Sequence, residues 1–207
     1  MGKIIDCAQY DPAWWEFRCG KPSASNAKKL ITSTGAKSKS CPDYSRYLAG
    51  CQFAGKDIDA WEGTKFTDRG TEIEAEARAY YSLTKNVDVD EIGSFTDDME
   101  QYIASPDGAI TSSKGLLEVK VLKPVNHINA LLYYKKNRKP PPLYIPQCQM
   151  SLFVSEYDWL DLEFYNPDLP ALIIRIEPDE KVISCLESQL TECLKERDNT
   201  LKILESL

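Results

Sequence analysis

Histidine is almost missing from this chain: one residue, His127, in 207. That argues against histidine-rich metal centres and against sites that pair a histidine base with histidine ligands. None of the seven cysteines forms a Cys-x-x-Cys pair, and their number is odd. Reduced thiols of a cytosolic protein are expected, not a disulfide frame or a zinc site. Cys185 and Cys193 fall in a helical pattern and read as small packing residues. No glycine-rich phosphate loop occurs, which excludes the Walker and dinucleotide classes. No apolar run nears the roughly 18 residues needed to span a membrane. The start of the chain carries Asp6 and Asp11 and lacks an apolar stretch, so no signal peptide is expected. Repeats and low-complexity tracts are also missing. Positive charge is short: 25 Lys and Arg stand against 32 Asp and Glu, a net charge of −7.

What is present describes an ordinary globular chain, 43% hydrophobic and 28% charged. One domain over residues 1–207, with a substantial core, is the simplest expectation. The acidic total is unusual for a nucleic-acid binder, which generally carries a basic footprint. Cations cluster locally, however, at Lys135, Lys136, Arg138 and Lys139, just before Pro140-Pro141-Pro142. They suit phosphate contact. They equally suit a helix end whose dipole favours cations, followed by a proline stop.

The most informative stretch is Ser105-Pro106-Asp107-Gly108, followed by Glu118-Val119-Lys120. Leu117, Val119 and Val121 alternate with Glu118 and Lys120, which predicts a strand with both charged side chains on one face. Thr111–Gly115 is rich in turn residues and predicts a hairpin. Folding there brings Asp107 roughly opposite Val119 and close to Glu118. Two carboxylates beside a lysine can hold a hard divalent cation such as Mg²⁺, which keeps several waters and needs few protein ligands. Such an ion polarises a phosphoryl oxygen and acidifies water. The blander reading is a common turn dipeptide and an exposed Glu-x-Lys pair.

Along the chain, residues 13–34 read as a helical entry with Ser23 or Ser25 as N-cap. Residues 35–63 read as irregular, with Gly35, Pro42, Gly50, Gly55 and Gly63 interrupting short helical pieces. Residues 64–84 should be helix and 87–122 strands of a hairpin or meander. Residues 125–136 predict a helix, and 137–146 a basic, proline-rich loop. Residues 147–154 read as a helix-to-strand passage, 157–165 as strand and Leu172–Ile176 as the last strand. Val182, Ile183, Leu186, Leu190, Leu194, Leu201 and Leu204 keep helical spacing, which predicts a terminal helix about 40 Å long.

Five motifs occur in order over residues 14–150. Trp15-Glu16-Phe17-Arg18-Cys19-Gly20 leads to Ser23-Ala24-Ser25. Arg69-Gly70-Thr71-Glu72-Ile73-Glu74 leads to Ala77. Then come Ser105–Gly108, Leu117–Lys120 and Tyr144-Ile145-Pro146-Gln147-Cys148-Gln149. In this set the chain resembles the lambda-type phage recombination exonucleases, the YqaJ-like branch of the PD-(D/E)XK nucleases. Phe164–Pro167 and Glu177–Lys181 match more loosely.

The resemblance implies an α/β fold of restriction-endonuclease type, with a central mixed sheet flanked by helices and a long C-terminal helix. It implies a Mg²⁺-dependent 5′-to-3′ exonuclease on linear double-stranded DNA, with two ions per site and Mn²⁺ as a substitute. The 3′ single-stranded tails would pass to a single-strand annealing protein. A homotrimeric ring in a bacterial or phage-infected cytosol is also implied, and a basic channel within an acidic ring would account for the net charge. By resemblance, Asp107 and Glu118 hold metal with the Val119 carbonyl, and Lys120 serves the attacking water. Glu74 and Gln147 complete the site, and Asp97 stands where the family has a further acid. Arg18, Ser25 and Ser105 match positions that hold a 5′ phosphate. Arg18 offers a two-pronged donor, and Ser25 lies near a helix N-terminus. The family often has an arginine after the lysine. Lys123-Pro124-Val125-Asn126-His127 lacks it, leaving Lys123 or His127 to take its place. Two alternatives are an endonuclease or repair nuclease on the same fold and a non-catalytic DNA-end-binding module.

Overall fold

The computed structural model describes residues 2–59 and 66–207, with side chains from residue 72 onward in the second stretch. Gly63 and the side chains of Arg69, Gly70 and Thr71, named above, lie outside the described residues. Among the described residues seven strands form two sheets. Strands β1 (Lys3–Ile5), β2 (Ser94–Thr96) and β3 (Ile103–Ala104) make a small antiparallel sheet in that order. Strands β4 (Gly108–Ile110), β5 (Gly115–Val121), β6 (Trp159–Tyr165) and β7 (Leu172–Ile176) make a mixed sheet, in which only β5 and β6 run parallel.

Among the described residues six α-helices flank these sheets: α1 (Pro12–Arg18), α2 (Cys41–Ala54), α3 (Phe66–Lys85), α4 (Pro124–Asn137), α5 (Ile145–Ser155) and α6 (Glu180–Glu205). The parallel step from β5 to β6 is carried by α4 and α5, as a crossover requires. The long C-terminal helix expected from leucine spacing is α6. Its N-cap, Asp179, accepts from the Lys181 and Val182 amides, and its apolar face packs on α2 through Leu186, Leu190 and Cys193. Among the described residues no helix is long and apolar enough to cross a membrane.

Two sequence expectations fail here. Residues 35–63, read as irregular, contain the 14-residue α2. Pro42 opens this helix, because a proline at the first turn lacks only an amide that would go unpaired anyway. Gly55 caps it in the left-handed conformation. Gly50 stays inside the helix because an added Cβ would stand 2.7 Å from Ile58 Cδ1. Residues 147–154, read as turning from helix to strand, are continuous helix in α5. That helix is buried nearly all round, so it shows no amphipathic signal.

Strand β5 is covered on both faces. Leu117 and Val119 enter a cluster with Ala77 and Tyr81 of α3, whereas Leu116 joins the larger core that includes Cys148 and Met150 of α5. Glu118 and Lys120 therefore point toward α5. Helix α3 is fastened to the sheet by hydrogen bonds from Tyr81 to Asp161 and from Tyr165 to Glu76, both 2.7 Å. Arg175 grips the same Asp161 at 2.5 and 3.0 Å.

Beside that clamp, Glu163 is buried with neither carboxylate oxygen partnered. Burial, then Asp161, pushes its pKa up to about 8 from 4.5, with Lys85 opposing. A raised carboxylate favours the fold while it stays protonated. That contribution is complete below about pH 4.5 and is lost as pH rises through 8. Glu163→Gln is expected to lose less melting temperature across this window than the wild type does. Parallel decline of the two in calorimetry at a series of pH values would count against it.

Candidate active site

The β4–β5 hairpin pairs Gly108 with Leu117, so one more residue along that register places Asp107 beside Glu118. Asp107 Oδ2 accepts from the Val119 amide at 2.6 Å. Lys120 Nζ stands 2.6 Å from Glu118 Oε1, and Gln147 Nε2 at the start of α5 donates to the same oxygen at 2.5 Å. Glu118 is only 3% exposed, so the exposed Glu-x-Lys pair is excluded. Lys120 also stands 5.8 Å above the Tyr144 ring.

The electrostatics are strained in one direction. Burial first, and Glu118 second, hold the Asp107 carboxyl well above the usual range, against the pull of Lys120 and the Val119 amide. Burial opposes the charge on Lys120, but Glu118 and Asp107 outweigh it and raise its pKa. Glu74 projects from α3 and lines a cleft of about 430 Å³ with Asp107. Its pKa is raised by burial, lowered by Arg78 and Lys120, and raised by Glu118. Glu118 Oε2 is buried with no hydrogen-bond partner among the described residues. Two crowded carboxylates and an orphaned oxygen fit a small divalent cation, which takes oxygen ligands. Among the described residues no three acidic, Cys or His groups form a ready-made cation cluster. A cation on Asp107 and Glu118 would complete its shell with a main-chain carbonyl such as that of Val119, water or substrate oxygens.

A second group forms next to the first. Arg18 Nη1 donates to Ser105 Oγ at 2.8 Å and Nη2 to Ser25 Oγ at 3.4 Å, while the guanidinium lies 4.1 Å over the Trp14 ring. No carboxylate pairs with Arg18 among the described residues, and burial lowers its pKa. Ser94, not anticipated from sequence, shares a 2.7 Å hydrogen bond with Ser105. Ser25 sits in a 3-10 turn of six residues, Ala24–Lys29. Such a turn is too short to build a substantial dipole, so the anion-binding character rests on Arg18 and the hydroxyls.

Other expected members stand elsewhere. Asp97 takes the turn between β2 and β3, where its carboxylate accepts from the Met99, Gln101 and Tyr102 amides. It is a turn cap and does not join the acids. His127 is fully buried in α4, with Nε2 2.9 Å from the Pro170 carbonyl, so it is not a surface phosphate ligand. Lys123 is exposed at the N-cap of α4. Lys135 and Lys136 occupy the last turn of α4, and Arg138 caps it in the left-handed region, all exposed. Both readings of that cluster stay open. Gln149 is structural: it donates to Glu177 O and accepts from the Asp179 amide, each at 2.8 Å.

A model of the YqaJ-like viral recombinase domain matches residues 13–158. The fold is similar to the crystal structure of an alkaline exonuclease, LHK-Exo, from Laribacter hongkongensis, at 29% identity and TM-score 0.79, over 95% of this chain and 97% of that one. The complex of LHK-Exo with dAMP matches at 28% identity and TM-score 0.80, with the same coverage. A phage-related exonuclease from Haemophilus somnus 129PT shares the fold at 18% identity and TM-score 0.69, over 89% and 96% of the two chains. No curated protein matches.

Proposed function

The chain belongs to the YqaJ-like viral recombinase domain family, and from that premise we propose that it is a Mg²⁺-dependent exonuclease. It digests linear duplex DNA from a 5′-phosphorylated end and leaves a 3′ single-stranded tail for a strand-annealing partner. The observation that carries this reading is the Asp107–Glu118–Lys120 group, with Glu118 buried and the other two half-buried, set beside a half-buried Arg18 that has no carboxylate partner among the described residues. The similarity to alkaline exonuclease structures supports the nuclease class.

Asp107 and Glu118 would hold the ion, with Gln147 fixing the rotamer of Glu118. When bound, Mg²⁺ supplies Lewis-acid polarisation of the phosphoryl group and acidifies water. Lys120 would position or activate the attacking water and offset charge that develops on phosphate. Glu74 faces the same cleft as Asp107, where a carboxylate can receive a proton from water or align it.

Arg18, Ser25 and Ser105 offer a forked donor and hydroxyls to a terminal phosphate, and among the described residues no carboxylate neutralises the guanidinium. Arg18→Gln is expected to lower digestion of a 5′-phosphorylated end about 10- to 100-fold, the worth of one or two charge-assisted hydrogen bonds. A 5′-hydroxyl end should change little. Equal losses on both ends would remove Arg18 from end recognition.

A further inference from the structure

The segment that carries Arg18 crosses the front of the site and is anchored twice. Gln9 Nε2 donates to the carbonyls of Pro106 at 2.9 Å and Ile92 at 3.1 Å, and Pro106 directly precedes Asp107. Arg18 provides the other anchor on Ser105. Tyr10 lies between the two. A turn closed from the Asp11 amide to the Ala8 carbonyl, 3.3 Å, puts Tyr10 at its third position with φ +72°. That position suits glycine or asparagine. An aromatic residue holds it against a backbone cost, and such strain collects at functional sites.

The consequence is a presented ring. Tyr10 is 49% exposed and tilted against Trp14 at 5.3 Å and Trp15 at 6.4 Å between centroids. Trp14 in turn lies beneath Arg18. The Tyr10 ring lines the same cleft as Glu74 and Asp107. Its hydroxyl senses both groups of the site: burial raises its pKa first, then Glu74 and Asp107, while Arg18 pulls it down and Glu118 up.

We propose that Tyr10 is a positioning and specificity-determining residue, whose ring is the platform for the nucleoside of the 5′-terminal nucleotide, between the Arg18 pocket and the Asp107–Glu118 carboxylates. This rests on the exonuclease reading above. With the end phosphate on Arg18 and the next phosphodiester at the carboxylates, one nucleoside must lie between them. An aromatic face takes any base by stacking, which suits an enzyme that must remove all four. The same placement sets the released fragment at one nucleotide.

The test is equilibrium binding in EDTA, followed by tryptophan fluorescence, for wild type, Tyr10→Gly and Tyr10→Phe. The probes are dAMP and 2-deoxyribose 5-phosphate, which differ only in the base. Wild type should bind dAMP about tenfold more tightly than the sugar phosphate. Tyr10→Gly suits the turn backbone, and circular dichroism checks its fold. It should lose that advantage and keep its affinity for the sugar phosphate, while Tyr10→Phe retains both. On duplex DNA, Tyr10→Gly should release dinucleotides beside mononucleotides. A ring that only packs on Trp14 would change melting temperature and leave the base advantage intact, which overturns the proposal. If wild type digests DNA yet shows no base advantage, the Tyr10 assignment falls alone. If it neither digests DNA nor binds either probe, the exonuclease reading fails and takes this one with it.

Discussion

Asp107→Asn is expected to slow digestion of linear duplex DNA by about 10³-fold or more, the loss of several kcal/mol of charge stabilisation. The same change should make the metal-free protein more stable. Asp107 bears a charge that burial and Glu118 both oppose, and its pKa stands well above 3.8. A raised carboxylate supports the fold only while protonated. That support is complete below the unfolded pKa and is lost as pH rises through the folded one. Once the carboxyl is deprotonated the wild type carries that cost, of order 1–3 kcal/mol for a poorly compensated buried group. The asparagine carries none and can still accept from the Val119 amide. Its melting temperature in EDTA should exceed that of wild type most at alkaline pH, and the gap should close as pH falls toward the unfolded pKa. A lower melting temperature throughout would show that the carboxylates are not in conflict and would weaken the case for a cation between them.

Lys120→Met should also lower activity, by at least about 10²-fold, with the opposite effect on stability. Methionine keeps the length of the side chain and removes the charge. Glu118 is then left buried with its Lys120 contact gone, and Asp107 loses its main compensating neighbour. Removing one partner of a buried pair costs about 3–5 kcal/mol. The metal-free variant should melt well below wild type, and millimolar Mg²⁺ should recover part of the difference by supplying charge at the same place. Unfolding scans in EDTA and in Mg²⁺ give this directly. A folded Lys120→Met that digests DNA at the wild-type rate would remove the lysine from the chemistry. Opposite stability shifts from two inactive variants would identify a site that trades stability for function.

Much of the site was readable in the sequence because its geometry is local. A period of two put Glu118 and Lys120 on one face, and a turn-rich segment between two short strands returned Asp107 to them. The terminal helix was equally plain, since leucine spacing persists over its length. What escaped depended on packing. Helix α2 was missed because Pro42 and Gly50 read as breaks, whereas one opens the helix and the other makes room for Ile58. Asp97 was misread because an acid that caps a turn and an acid that binds a cation look alike in sequence; three backbone amides distinguish them. His127 was placed at the phosphate because sequence does not reveal that its ring turns inward to Pro170. Ser94 and Tyr10 reach the site only through contacts made over long separations, such as Gln9 with Pro106.

The most direct test of the exonuclease reading is digestion of a linear duplex with 5′-phosphate ends in Mg²⁺, each strand labelled in turn at its 3′ end, with closed circular DNA alongside. Stepwise loss of each strand from its 5′ end, persistence of the 3′-ended complement as a single-stranded tail, and untouched circles are predicted. Cleaved circles would contradict an end-dependent enzyme and favour an endonuclease on the same fold. No cleavage of either DNA in Mg²⁺ or Mn²⁺ would contradict catalysis at Asp107, Glu118 and Lys120 altogether.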